Sequence, residues 1–70
     1  MQRTNLKIFR VKQNMSQDVM AREIGYTREH YRKVESGVYD YTLRFERAMC
    51  SRFNLTREEF EELMKKDDDM

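Results

Sequence analysis

Four side chains that donate or accept hydrogen bonds stand close together at Arg28, Glu29, Arg32 and Lys33. On a helix the spacing i, i+1, i+4, i+5 puts them on one outward face, opposite Tyr31 and Val34, which pair three residues apart on the inward one. Two guanidinium forks, an ammonium and a carboxylate in a row suit recognition of a polar, negatively charged surface. The same residues also fit an ordinary exposed helix, in which a Glu29–Lys33 pair adds only ~0.2–0.5 kcal/mol. Groups for catalysis are missing. His30 and Cys50, the single His and single Cys, fall on different predicted helices with no third member. One of each cannot complete a zinc site without several carboxylates, so no metal, no cofactor and no catalytic role are expected. A chain of 70 residues is too small to wall a deep pocket, and no small-molecule ligand is expected either.

The positioning elements must come from one small domain. Hydrophobic and charged residues each make up 39% of the chain, enough apolar surface to fold with little to spare. Two Gly and no Pro argue against an all-β fold, whose turns need both. Apolar runs such as Val19–Ala21 are far too short for a membrane span or a signal-peptide core, so the expectation is a soluble, cytoplasmic protein with no membrane partner. Charge is unevenly spread. Residues 1–53 carry 11 Lys and Arg against six acids, a net +5, and residues 54–70 carry three against seven, a net −4. A basic body with an acidic end suits a module that binds a polyanion on one face, although ordinary surface charge would look similar.

Local signals divide the chain into five short helices. Thr4 or Asn5 caps the first, with Leu6 and Phe9 inward and Asn14 as its stop. Ser16 caps the second, from Gln17 to Ile24, with Met20, Ala21 and Ile24 inward and Gly25 as its breaker. Thr27 caps the third, from Arg28 to about Glu35, and Ser36-Gly37 ends it. After a connection from Val38 to Tyr41, Thr42 caps a fourth helix through Phe53, which Asn54 stops. Thr56 and Glu59 form a capping box for the last, with Phe60, Leu63 and Met64 inward. Residues 65–70 are a charged end expected to fray, leaving residues 1–64 as the domain. Ala21 and Gly25 are expected where the second and third helices cross, with little room for a larger side chain.

A tight, Gly-containing turn between the second and third helices is the pattern of a helix-turn-helix. The segment Met15–Gly37, MSQDVMAREIGYTREHYRKVESG, resembles that unit in the Cro/C1-type (XRE-like) regulators. The matching residues are Ser16-Gln17, Met20-Ala21, Ile24-Gly25, the cap Thr27, and the closing Val34-Glu35-Ser36-Gly37. Leu6, Phe9 and Arg10 fit the family's first helix, Thr42 to Leu55 its fourth, and Thr56 to Leu63 its fifth. Two stretches depart from the pattern. Tyr31 stands where a small aliphatic residue is usual, and the connection Val38-Tyr39-Asp40-Tyr41 lacks the usual positive charge.

The resemblance implies an all-α fold, a compact five-helix bundle of the lambda-repressor-like DNA-binding type. It implies a small repressor-like regulator that binds double-stranded DNA sequence-specifically, as a homodimer that forms before or only on DNA. Arg28, Glu29, Arg32 and Lys33 would then meet base edges in the major groove, and Gln17, Thr27, Tyr39 and Arg44 would meet phosphates. Arg10 and Glu35 occupy the positions of an inter-helix ion pair. A separate dimerisation domain does not fit in this length, so Phe53, Leu55, Phe60 and Met64 are the candidate pairing surface. A second reading keeps the fold but gives it to protein interaction, as in an antitoxin-like or anti-repressor partner with weak or no DNA binding. Glu29 and the 38–41 connection, which has no positive charge, favour that alternative.

Overall fold

Residues 1–67 are described by the structure, a computed structural model. They form α1 (Thr4–Lys12), α2 (Gln17–Ile24), α3 (Arg28–Glu35), α4 (Leu43–Phe53) and α5 (Arg57–Leu63), with no strand among the described residues. None of these helices is long and apolar enough to cross a membrane.

Helix starts follow their hydroxyl caps at four of the five ends. Ser16 Oγ accepts from the Val19 N–H at 3.1 Å, Thr27 Oγ1 from His30 at 3.1 Å, and Thr42 Oγ1 from Phe45 at 3.3 Å. Each satisfies one of the four backbone donors that a helix leaves unpaired at its N-terminus. At α5 the capping box closes both ways: Thr56 Oγ1 accepts from Glu59 N at 3.1 Å, and Glu59 Oε1 accepts from Thr56 N at 2.8 Å.

The start of α1 differs from the expectation. Its N-cap is Arg3, whose side chain does no capping, and Thr4 already lies in the first turn. The cap comes from the other end of the chain. Asp67 accepts from the Thr4 N–H at 3.3 Å and from the Thr4 hydroxyl, while the Asp67 N–H donates to the Gln2 carbonyl at 2.8 Å. A carboxylate is well placed at the positive end of a helix, and 63 residues of separation hide it from local sequence signals. Residues 68–70 of the charged end lie outside the described residues.

The stops are left-handed residues, Asn14 at φ +61°, Gly25 at +80° and Asn54 at +54°. Ala21 is fully buried on α2. Gly25 is not crowded: a Cβ built there meets nothing within 4 Å. Its glycine is explained by backbone conformation, since φ near +80° strains residues that carry a Cβ.

The core takes Leu6 from α1, Met20 from α2, Tyr31 and Val34 from α3, Phe45 and Met49 from α4, and Phe60 from α5. Phe60 is 0% exposed and Met64 4%, so neither can form the pairing surface expected of them. A seven-residue α5 has a single apolar stripe, and closing the bundle consumes it. Phe53 is half-buried, edge-on to Phe9 at 5.1 Å.

Arg3, which counts toward the basic surface in the sequence, is 3% exposed. Its Nε donates to the Met64 carbonyl at 2.9 Å, and one terminal nitrogen donates to the Val34 and Tyr39 carbonyls at 2.5 and 3.0 Å. Two of these carbonyls lie at the ends of α5 and α3, and that of Val34 also accepts from the Gly37 N–H at 3.1 Å. Burial pulls the guanidinium below its ordinary value, while Asp40 and Tyr41 act in the opposite direction. Arg3 thus fastens the ends of α3 and α5 and the connection after α3 to the start of α1. Arg3→Met should lower stability by on the order of 2 kcal/mol, because it takes the donor from the Met64 and Tyr39 carbonyls, while that of Val34 keeps the Gly37 N–H. Arg22→Met, on an exposed pair with Asp18, should stay within about 0.5 kcal/mol. Urea unfolding checks both, and equal midpoints for the two variants would contradict the buried clasp.

Candidate nucleic-acid interface

The turn between α2 and α3 is short and closed. The Tyr26 N–H donates to the Ala21 carbonyl at 2.8 Å, and Thr27 then opens α3. Tyr31 and Val34, both fully buried, pin α3 to the core. The opposite side of this helix, with Arg28, Glu29 and Arg32, is therefore left in solvent.

What fixes the angle of α3 is the carboxylate of Glu35, 6% exposed at the helix end. Arg10 of α1 donates Nε to Oε2 at 2.9 Å and Nη2 to Oε1 at 3.2 Å. Gln17 of α2 donates Nε2 to Oε1 at 3.2 Å, and Tyr31 donates its hydroxyl to Oε2 at 2.7 Å. Arg10 also reaches the Met15 carbonyl at 2.8 Å, so the α1–α2 connection is held by the same fork. Burial would raise the Glu35 carboxyl, but the hydrogen bonds from Arg10, Tyr31 and Gln17 outweigh it and leave it below its ordinary value. The hydrogen bond to Glu35 raises Arg10 above its ordinary value. Burial, followed by the charge of Glu35, keeps the Tyr31 phenol protonated far above its ordinary range. Tyr31, the departure from the family pattern, thus supplies a fourth donor to the buried carboxylate.

Around this cluster the surface is concave and polar. A depression of about 320 Å³ includes Lys7, Arg10, Gln17 and Arg32 in its lining. A second, of about 360 Å³, is lined by Arg28, Glu29 and Arg32. Glu29 pairs here with Arg32 at i,i+3, its Oε1 accepting from Nε at 2.7 Å, and not with Lys33 as the spacing suggested. That hydrogen bond holds the exposed Glu29 carboxyl below its ordinary value. Lys33 leans the other way, its Nζ lying 5.1 Å from the centre of the Tyr39 ring. Arg28 has no carboxylate within 4 Å among the described residues.

Beside α3 runs a row of rings. His30 stacks on Tyr26 at 4.8 Å and lies 5.3 Å from Tyr39. Arg44, on the first turn of α4, sits over Tyr26 at 5.2 Å. Cations from α3 and α4 therefore border a connection that has none of its own. Thr27 Oγ1 spends its acceptor on His30, which leaves the hydroxyl proton for an outside oxygen.

This arrangement is a brace helix, a tight turn and a projecting helix, closed by three further helices. The pattern of a family described as a helix-turn-helix domain matches residues 4–63. The chain belongs to the helix-turn-helix domain family. No characterised protein and no solved structure matches it. In DNA-binding helix-turn-helix units the first helix crosses the sugar–phosphate backbone and the second enters the major groove. In this helix-turn-helix chain those positions fall to α2 and α3. Among the described residues no group of three His, Cys, Asp or Glu could hold a metal ion.

Sequence reasoning missed the contribution of Tyr31 to the cluster, although its i,i+4 spacing from Glu35 was a visible signal. It had no signal for Arg3 or Asp67. The depressed Glu35 carboxyl fixes the sign of a pH effect. Its contribution is fully present above the unfolded carboxyl value of about 4.3 and is lost as pH falls through the lower folded value. Thermal melts from pH 7 to 3 should therefore fall more steeply for the natural protein than for Glu35→Gln. Parallel curves would show that Glu35 is not held ionised by Arg10.

Proposed function

We propose that this helix-turn-helix chain is a sequence-specific duplex DNA-binding regulator of the Cro/C1 type, acting as a repressor, with α3 in the major groove. The observation that carries the proposal is the Glu35 cluster, which ties α1, α2 and α3 together and leaves Arg28, Glu29 and Arg32 exposed along one side of α3. A helix ~10–12 Å across fits a groove ~12 Å wide.

Arg28, which has no carboxylate beside it, is suited to the O6 and N7 acceptors of guanine. Glu29, steadied by Arg32, can accept from cytosine N4, and the Arg32 charge offsets its repulsion from nearby phosphates. Lys33 reaches guanine or a phosphate from beside Tyr39. Gln17, with one amide N–H on Glu35, keeps a second for a phosphate oxygen. The Thr27 and Tyr39 hydroxyls and Arg44 complete the backbone contacts. One eight-residue helix covers only a few base pairs, so two copies would bind as a homodimer on half-sites about 10 bp apart.

Binding sites selected from a random duplex pool provide the test. Log affinity should fall with log salt at a slope near −4 to −5, as for about four to six neutralised phosphates. Arg28→Ala should cost ~1–3 kcal/mol and relax one base-pair position, whereas Gln17→Ala should weaken all sequences alike. No binding at low salt, or identical behaviour of the two variants, would overturn the proposal.

A further inference from the structure

The side of α1 turned away from Arg10 is apolar and bare. Thr4, Ile8 and Val11 follow one another there at i, i+4, i+7, with Ile8 47% and Val11 56% exposed. Two depressions meet along this row. One, of about 440 Å³, lies among Thr4, Lys7, Ile8, Val11 and Lys12. The other, of about 240 Å³, runs from Ile8 and Lys12 across Phe9 to Leu63 of α5. Together they make a shallow trough with a mostly aliphatic floor.

The flanks of the trough carry Lys7 and Lys12, and the Asp67 carboxylate, bonded to Thr4, stands at its N-terminal end. Lys7 and Lys12 have no carboxylate within 4 Å among the described residues. Some cations of other helices are paired, as in Asp18–Arg22 at 3.3 Å on α2 and Glu29–Arg32 on α3, while Arg28, Arg44 and Arg47 have no carboxylate within 4 Å among the described residues. Glu62, at the far edge of the trough, is directed to Lys65 at 3.0 Å.

We propose that this face receives an amphipathic helix from a different protein, one whose apolar stripe is bordered by Glu or Asp. Aliphatic anchors at i, i+3/i+4, i+7 would enter the trough, and the bordering carboxylates would meet Lys7 and Lys12. A second copy of this chain fits poorly. Pairing about a two-fold axis through Ile8 gathers four lysines around a small apolar contact, and like charges juxtaposed at an interface oppose association. The acidic helix of a second copy, α5, has Phe60 and Met64 committed to its own core. The trough lies across α1 from Arg10, and the proposal does not depend on the DNA reading.

The test uses a synthetic helical peptide with leucines at those spacings and flanking glutamates, and a second peptide in which lysines replace the glutamates. Added to isotope-labelled protein without DNA, the acidic peptide should shift the Asn5–Lys12 amides saturably and leave those of α3 in place. Its affinity should fall at least tenfold in the double variant Ile8→Ser/Val11→Ser and in Lys7→Glu/Lys12→Glu, with melting temperatures close to that of the natural protein. Equal binding of both peptides, or no binding of the acidic one at millimolar concentration, would overturn the proposal. So would a self-association of the free protein, seen by sedimentation, that Ile8→Ser/Val11→Ser abolishes, because that assigns the face to a second copy.

Discussion

A carboxylate cannot be taken out of water cheaply, and Glu35 is 6% exposed. It is tolerated because Arg10, Gln17 and Tyr31 together give it four hydrogen bonds, one pair of them from a guanidinium fork. The requirement works in both directions. The charge needs donors from α1, α2 and α3, so those three helices have one mutual arrangement in which it is satisfied. A purely apolar junction would bury similar area but leave the angle of α3 less sharply defined. Under the proposed function, in which the outward side chains of α3 meet a rigid groove, that angle matters more than the stabilisation itself.

The chain ends repeat the logic on a smaller scale. Arg3 satisfies carbonyls at the ends of α3 and α5, and Asp67 caps α1. A bundle this small has many helix termini relative to its core, and every terminus leaves backbone groups unpaired. Pairing termini from distant parts of the chain removes several such groups together and draws the first and last segments onto the end of α3. The basic body and the acidic end of the sequence thus have internal roles, and their net charges alone misjudge which cations face solvent.

How much was legible follows from distance along the chain. Ser16, Thr27, Thr42 and Thr56 announce helix starts because a cap acts within three residues, and Gly25 and Asn54 announce stops because positive φ is a property of single residues. Met20, Ala21, Tyr31 and Val34 were placed in the core by their spacing. Arg3 was not, since nothing near it distinguishes a buried arginine from a surface one, and its partner Met64 is 61 residues away. Phe60 and Met64 were correctly placed inward on α5, yet they were also considered for pairing because spacing cannot say whether an inward face meets its own core or a partner. Glu29 pairs with Arg32, and Lys33 lies over the ring of Tyr39, a residue beyond the end of the helix that helical spacing does not register.

The central claim, that α3 meets base edges from the major-groove side, is tested most directly by methylation interference on a selected duplex site. Guanine N7 lies in the major groove and adenine N3 in the minor groove. The account predicts two clusters of guanines, about one helical turn apart, at which N7 methylation abolishes binding, with no effect of adenine N3 methylation between them. Binding that tolerates N7 methylation throughout the site, or that is blocked only from the minor groove, would contradict it.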